Sequence, residues 1–281
     1  MTYAERFRGI PHFLLRMIIG LLIVILALFV LLSILQERLI FYPQRISDKE
    51  AEILMKRYSR VESVSLKTHD NLTIRGWFLK NSLSSKSPLI LYFGGNAEEV
   101  SYLLDYAEKI KGWSWVLINY RGYGLSEGKP SEINLYRDAI SLYDYFVKRD
   151  DIDKERFVVM GRSLGTGVAT YLAQMRKTSA VILVSPYDSL VSVGKSVFPF
   201  LPVNLILRHR FDSLSRAPFI NVPLLVLVAS DDNIIPVRYS KNLAEKWGAA
   251  YSLIIIKGED HNTIHDNANY WEAIDDFLKK F

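Results

Sequence analysis

The first long feature of the chain is a run with no polar face. From Met17 to Gln36 twenty consecutive residues, MIIGLLIVILALFVLLSILQ, carry no charge. At 1.5 Å per residue a helix over this run is about 30 Å long, the thickness of a bilayer's hydrocarbon core. Past residue 60 the pattern changes to short apolar runs separated by stretches of helical period. Strands are expected at Val61–Lys67, Leu72–Leu79, Pro88–Phe93, Trp115–Tyr120, Arg156–Met160, Ala180–Val184, Leu224–Ala229 and Tyr251–Ile256. The later ones are nearly continuous in Val, Ile and Leu, as in strands covered on both faces. Helical patterns fall at Glu98–Lys111, Glu132–Lys148, Leu164–Lys177, Val237–Trp247 and Ala268–Lys280. Alternating strands and helices give a mainly parallel sheet with helices on both faces. The first two strands, parted by His69-Asp70-Asn71, read as an antiparallel hairpin. Between Val184 and Pro223 the alternation stops in an aromatic stretch with several prolines. That length of irregular chain suits a small cap, about residues 187–220, over the sheet's C-terminal edge, where ligands bind in such sheets.

The expected organisation is a short basic tail (1–16), a membrane anchor (17–36), a linker (37–60) and an α/β domain (61–281). A cleaved signal peptide would have a shorter apolar region and a small-residue cleavage site. Here the run ends in Leu35-Gln36-Glu37-Arg38, and Phe41 and Tyr42 follow at the height of an interfacial aromatic belt. Charge sharpens the picture. Of a net charge of +5, the first 45 residues carry +3, leaving a nearly neutral body with no basic stripe for nucleic acid. Arg6, Arg8 and Arg16 before the span favour a cytoplasmic N-terminus and an extracytoplasmic domain. The chain has no Cys, which excludes disulfides, Cys-ligated metal and a Cys nucleophile.

The candidate chemistry starts at Gly161-Arg162-Ser163-Leu164-Gly165, a G-x-S-x-G between an apolar strand and a helical run. A strand, a sharp turn and a helix with Ser at the apex make a nucleophile elbow. An unactivated Ser needs a base and an orienting acid, in chain order Ser, Asp or Glu, His. Asp231-Asp232 follows the strand at 224–229, so the acid belongs there. After the last strand comes His261, placed in a turn at a strand end. His265 lies one helical turn further on and is the weaker candidate; His12, His69 and His209 fall in the wrong order. Attack on a carbonyl also needs donors for the oxyanion. One is the N–H of Leu164, the residue after the nucleophile. The other is assigned to Asn96, in the loop Gly94-Gly95-Asn96-Ala97 after the third strand, where no phosphate-binding pattern follows the glycines.

Gly-Gly-Asn-Ala, then Asn119-Tyr120-Arg121-Gly122-Tyr123-Gly124-Leu125-Ser126-Glu127-Gly128, GRSLGTGVA, Ser185-Pro186-Tyr187, D-N-I-I-P and D-H-N follow in an order that resembles membrane-anchored α/β-hydrolase-domain serine hydrolases. That group includes depalmitoylases and lysophospholipid lipases and overlaps the serine aminopeptidase-like hydrolases. The resemblance covers about residues 35–281. It implies an α/β-hydrolase fold: a mainly parallel eight-stranded sheet, helices on both faces and a small cap, preceded by one transmembrane helix. It also implies Ser163 as nucleophile, Asp232 (four residues before Pro236) as acid and His261 as base, with no cofactor and no metal. The R-G-Y-G segment resembles a structural loop beside the site. One position departs: relatives usually carry His-Gly-Asn where this chain has Gly94-Gly95-Asn96, and a His that shapes the oxyanion loop would be missed. The expected activity is cleavage of carboxylic esters or thioesters of lipid or acylated small-molecule or protein substrates. A silent hydrolase fold acting as a membrane-tethered scaffold, or a serine peptidase with the same triad, are the alternatives.

Overall fold

The computed structural model describes residues 12–80 and 86–281. The basic tail expected over 1–16 therefore lies outside the described residues up to position 11. Helix α1 (His12–Ile40) runs for 29 residues, about 43 Å. Over the span Phe13–Ile40 it is long and apolar enough to cross a membrane, and most of its side chains up to Leu31 are exposed. Helix α2 (Asp48–Arg57) starts at Ser47, whose hydroxyl accepts from the Glu50 amide while Glu50 accepts from the Ser47 N–H, a complete capping box.

Eight strands form one sheet: β1 (Val61–Lys67), β2 (Thr73–Leu79), β3 (Ser87–Phe93), β4 (Ser114–Ile118), β5 (Ile152–Arg162), β6 (Ala180–Val184), β7 (Leu224–Ala229) and β8 (Tyr251–Ile256), in spatial order β1-β2-β4-β3-β5-β6-β7-β8. The hairpin β1–β2 pairs from Val61 with Leu79 to Lys67 with Thr73, and its turn holds Asn71 at φ 62°, a conformation Asn tolerates. β2 joins β4 antiparallel, and every pairing from β4 onward is parallel.

The period of two along the strands builds two cores. Leu89, Leu91 and Phe93 of β3, with Leu224, Val226 and Val228 of β7, face one side. There they meet α4 (Glu132–Phe146), α5 (Leu164–Met175) and α8 (Val237–Glu245) through residues such as Leu142, Val168 and Leu243. Ile90 and Tyr92, with Leu225 and Leu227, face the other. That side is covered by the short α3 (Leu104–Ala107) and by α9 (Ala268–Leu278). The cap holds α6 (Leu190–Val197) and α7 (Val203–Ile206) between β6 and β7.

Three expectations differ from what is found. The helix expected over 98–111 is a 3-10 turn, Val100–Leu103, running into α3. Polar side chains intercept the amides that would start a longer helix: Glu99 accepts from the Ser101 N–H, and the Asn119 carbonyl oxygen accepts from the Val100 N–H. β8 is not covered on both faces. It is the edge strand, and Ile254 and Ile255 are exposed. The stretch expected as a linker is docked along its first third: Phe41 is buried, the Gly124 N–H donates to Gln44 O (2.7 Å) and Arg45 Nε donates to Gly122 O (3.2 Å). The R-G-Y-G loop that receives it is fixed by buried Arg121, whose guanidinium donates to Asp138 (2.7 and 2.8 Å) and Asp70 (2.6 Å).

Candidate active site

Ser163 stands between the end of β5 and the start of α5, in a backbone conformation (φ 50°, ψ −117°) that side chains rarely adopt. The flanking glycines make this turn possible. A Cβ on Gly161 would sit 2.4 Å from Gly165 O, and one on Gly165 would sit 2.1 Å from Phe93 O. Neither is tolerable without moving backbone, so the motif's spacing is a steric requirement of packing α5 against β3 and β5.

The three residues singled out by motif and chain order come together. Ser163 Oγ lies 2.9 Å from His261 Nε2, and His261 Nδ1 lies 2.8 Å from Asp232 Oδ2. All three are buried. With Nδ1–H donating to the carboxylate, Nε2 is left free to accept the serine proton. The other carboxylate oxygen of Asp232 accepts from the Ile234 and Ile235 amides (3.0 and 2.7 Å). Burial pushes the Asp232 carboxyl up, but the hydrogen bond and charge of His261 and the Ile235 amide outweigh it and hold the carboxyl below its ordinary value. Asp231 is exposed, and its amide donates to Glu259 O. His265 lies in a 3-10 turn before α9, edge-on to Tyr102 and Tyr106, rather than inside the last helix.

Asn96 and Leu164 line the same cavity as Ser163 and His261, and their amides have no hydrogen-bond partner among the described residues. The Gly95 amide is engaged, donating to Glu98 Oε2 (2.7 Å). Gly94 O accepts from the buried Tyr120 hydroxyl (2.8 Å), and Asn96 O accepts from the Tyr42 N–H (3.0 Å) and the Tyr123 hydroxyl. Burial pushes the Tyr120 hydroxyl well above its usual range, so it remains a donor.

Two residues that motif reading passed over tie these loops together. Arg162, inside the G-x-S-x-G, donates to Glu98 Oε2 (3.0 Å) and to His261 O (2.8 Å). Glu98 also accepts from the Tyr92 hydroxyl (2.6 Å). One buried ion pair thus spans the loop after β3 and the loop that carries His261. Arg162 offered a signal, a charge beside the candidate nucleophile; Glu98, 64 residues upstream, offered none.

The cavity has a volume of about 480 Å3 and is mainly apolar, walled by the cap and by the C-terminal turns of α1. Among the described residues no group of three His, Asp or Glu is arranged to hold a metal ion.

Comparison with known proteins places the fold in context. Residues 88–209 match the family described as the alpha/beta hydrolase fold. The uncharacterized membrane protein YNL320W of Saccharomyces cerevisiae is 30% identical over 226 residues, covering 77% of this chain and 79% of that protein. The lysophosphatidylserine lipase ABHD12 of Danio rerio is 32% identical over 236 residues, covering 72% of this chain and 61% of its own length. Among solved structures, the Pyrococcus furiosus esterase Pf2001 superposes with a TM-score of 0.67 at 17% identity, over 86% of this chain and 98% of that one. The chain belongs to the α/β-hydrolase family. The family, the lipase relative and the apolar N-terminal helix together support a hydrolase that associates with membranes.

Proposed function

We propose that the protein is a membrane-tethered serine hydrolase that cleaves carboxylic ester or thioester bonds of lipid or acylated substrates through an acyl-enzyme. The observation that carries this reading is the continuous Ser163–His261–Asp232 chain, at 2.9 and 2.8 Å, opening into an apolar cavity. Ser163 Oγ attacks the carbonyl carbon as its proton passes to His261 Nε2, and Asp232 steadies the imidazolium that forms. The carbonyl oxygen takes the displaced electron pair and is held by the amides of Asn96 and Leu164, with the N-terminus of α5 adding a favourable dipole. Collapse breaks the bond to the alcohol or thiol, which leaves with the proton from His261. Water, deprotonated by the same Nε2, then attacks the acyl-Ser163 ester, releases the acid and returns the proton to Oγ.

The apolar cavity favours an acyl chain over a sugar or a polar peptide, and the relative named as a lysophosphatidylserine lipase supports a lipid. The anchor spans 17–36, and the arginines before it support a cytoplasmic N-terminus with the domain on the opposite face. The deciding experiment is covalent labelling with a fluorophosphonate. Wild type is labelled and hydrolyses p-nitrophenyl esters; Ser163→Ala loses both. Undiminished labelling of Ser163→Ala overturns the assignment.

A further inference from the structure

The membrane helix does not stop at the membrane. Leu32, Gln36, Leu39 and Ile40 of α1 line the same cavity as Ser163 and His261. At spacings of i, i+4, i+7 and i+8 they form one stripe on the helix. The cap supplies facing residues, among them Val193, Val197 and Ile206. Gln36 fixes the two walls together. It is 4% exposed, and its side-chain amide donates to Ser33 O (2.8 Å) and Ile206 O (3.3 Å) while its carbonyl oxygen accepts from the Arg208 N–H (2.8 Å). A buried, fully partnered amide in an apolar wall sets one register between helix and cap.

Depth along the helix gives the wall its meaning. If the uncharged run 17–36 fills the hydrocarbon core, Leu32 lies just inside the bilayer. Leu39 and Ile40, beside charged Glu37 and Arg38, then reach the headgroup level, about 12 Å further along the axis. The cavity's α1 wall thus spans the depth at which a lipid's first acyl carbons meet its ester. The cap meanwhile exposes apolar side chains just before and within α7, with Phe200 98% and Leu205 69% exposed, and α7 packs on α1. Such side chains suit hydrocarbon better than water.

We propose that α1 is a wall of the acyl-binding site: a lipid's acyl chain passes sideways from the bilayer into the Ser163 cavity between α1 and the cap, and Leu32 and Leu39 set the chain length accepted. This rests on the serine-hydrolase reading above and adds a specificity role to a helix that would otherwise serve only as a tether.

The test uses the full chain in mixed detergent–lipid micelles and compares kcat/KM on p-nitrophenyl palmitate and butyrate. Leu32→Trp and Leu39→Trp fill the α1 wall and lower the palmitate-to-butyrate ratio at least about tenfold, the scale of discrimination an apolar pocket achieves. Leu32→Ala enlarges the same wall and keeps or raises the ratio. Ile34→Trp, off the stripe and not among the residues that line the cavity, leaves it unchanged. Fluorophosphonate labelling at the wild-type rate certifies the fold of each variant. An unchanged ratio in both Trp variants, or a fall in Leu32→Ala as large as in Leu32→Trp, overturns the proposal. Absence of labelling in the wild type overturns the hydrolase reading instead.

Discussion

Among the described residues, Arg162 and Glu98 form the ion pair that touches both loops of the candidate site, at 3.0 Å and with side chains 11% and 5% exposed. Arg162→Met removes the cation and strands the carboxylate. Breaking a buried pair from one side typically costs about 3–5 kcal/mol. Glu98 retains the Tyr92 hydroxyl (2.6 Å), the Tyr102 hydroxyl (3.2 Å) and the Gly95 amide (2.7 Å) as donors, which places the cost at the low end. A loss of about 3 kcal/mol lowers Tm by about 6–12 °C in a domain of this size. Adding Glu98→Gln removes the stranded charge. The double variant therefore melts above the sum of the two single losses, with a coupling of about 1–3 kcal/mol. Activity moves as well: the His261 carbonyl loses its Arg162 donor and the Glu98 carboxylate that holds the Gly95 amide loses its cation, which loosens both sides of the site, and kcat on a short soluble ester falls by about ten- to a hundredfold. Thermal melts and initial rates on the four proteins of the cycle provide the measurement. Strictly additive Tm losses with kcat unchanged would refute the idea that this pair positions the loops.

Two further expectations concern the acid and the base. His261→Ala lowers kcat by about four to six orders of magnitude because triad members act as a unit, whereas His265→Ala, at a ring edge-on to Tyr102 and Tyr106, keeps near wild-type rates; the opposite pattern in steady-state kinetics would move the base. The Asp232 carboxyl lies below its ordinary 3.8, so its ionised form contributes stability that is present above pH 3.8 and lost as pH falls through the lowered value. The Tm difference between wild type and Asp232→Asn is accordingly widest near neutrality and closes below about pH 4, and a difference that grows on acidification contradicts the assignment.

The parts of the fold that could be read from the chain are those with a local physical signature. β6, β7 and β8 stand where their apolar runs ended, and the elbow follows from two glycines that admit no Cβ. Asp232 rather than Asp231 was what the resemblance implied, through the place of its acid four residues before Pro236, and Asp232, not Asp231, lies against His261. What escaped is non-local. A run such as YSLIII reads as doubly covered, yet β8 is the last strand of the sheet among the described residues, a matter of strand order rather than composition. The uniform apolarity of α1 hides which stripe meets the cap. Gln36, with Ser33, was a polar mark on the run's last turn, and only the fold reveals its partners at 206 and 208. Likewise Glu98, after β3, and Arg162, the last residue of β5, show no link to each other until a parallel sheet brings the ends of β3 and β5 side by side.

The same logic bears on Gly94, the position at which the resemblance leads one to expect His. The loop is not left unsupported. Tyr120 bonds Gly94 O, Glu98 bonds the Gly95 amide, and Asn96 O receives both the Tyr123 hydroxyl and the Tyr42 N–H. A Cβ on Gly94 would lie 3.1 Å from the Glu98 carboxyl carbon and 3.2 Å from Val100. A larger side chain there would press on the very carboxylate that holds Gly95. Gly94 and Glu98 are therefore a matched pair: the small residue leaves room for a buried acid, and the acid anchors the loop from within. Tyr42 gives that anchoring a second consequence. It lies two residues past the end of α1, so the backbone leaving that helix bonds directly to the carbonyl of Asn96, which lines the cavity beside Ser163. A tether that only held the enzyme at the surface would need no such bond; one whose helix also lines the cavity gains from fixing the oxyanion loop and the acyl wall in a single frame.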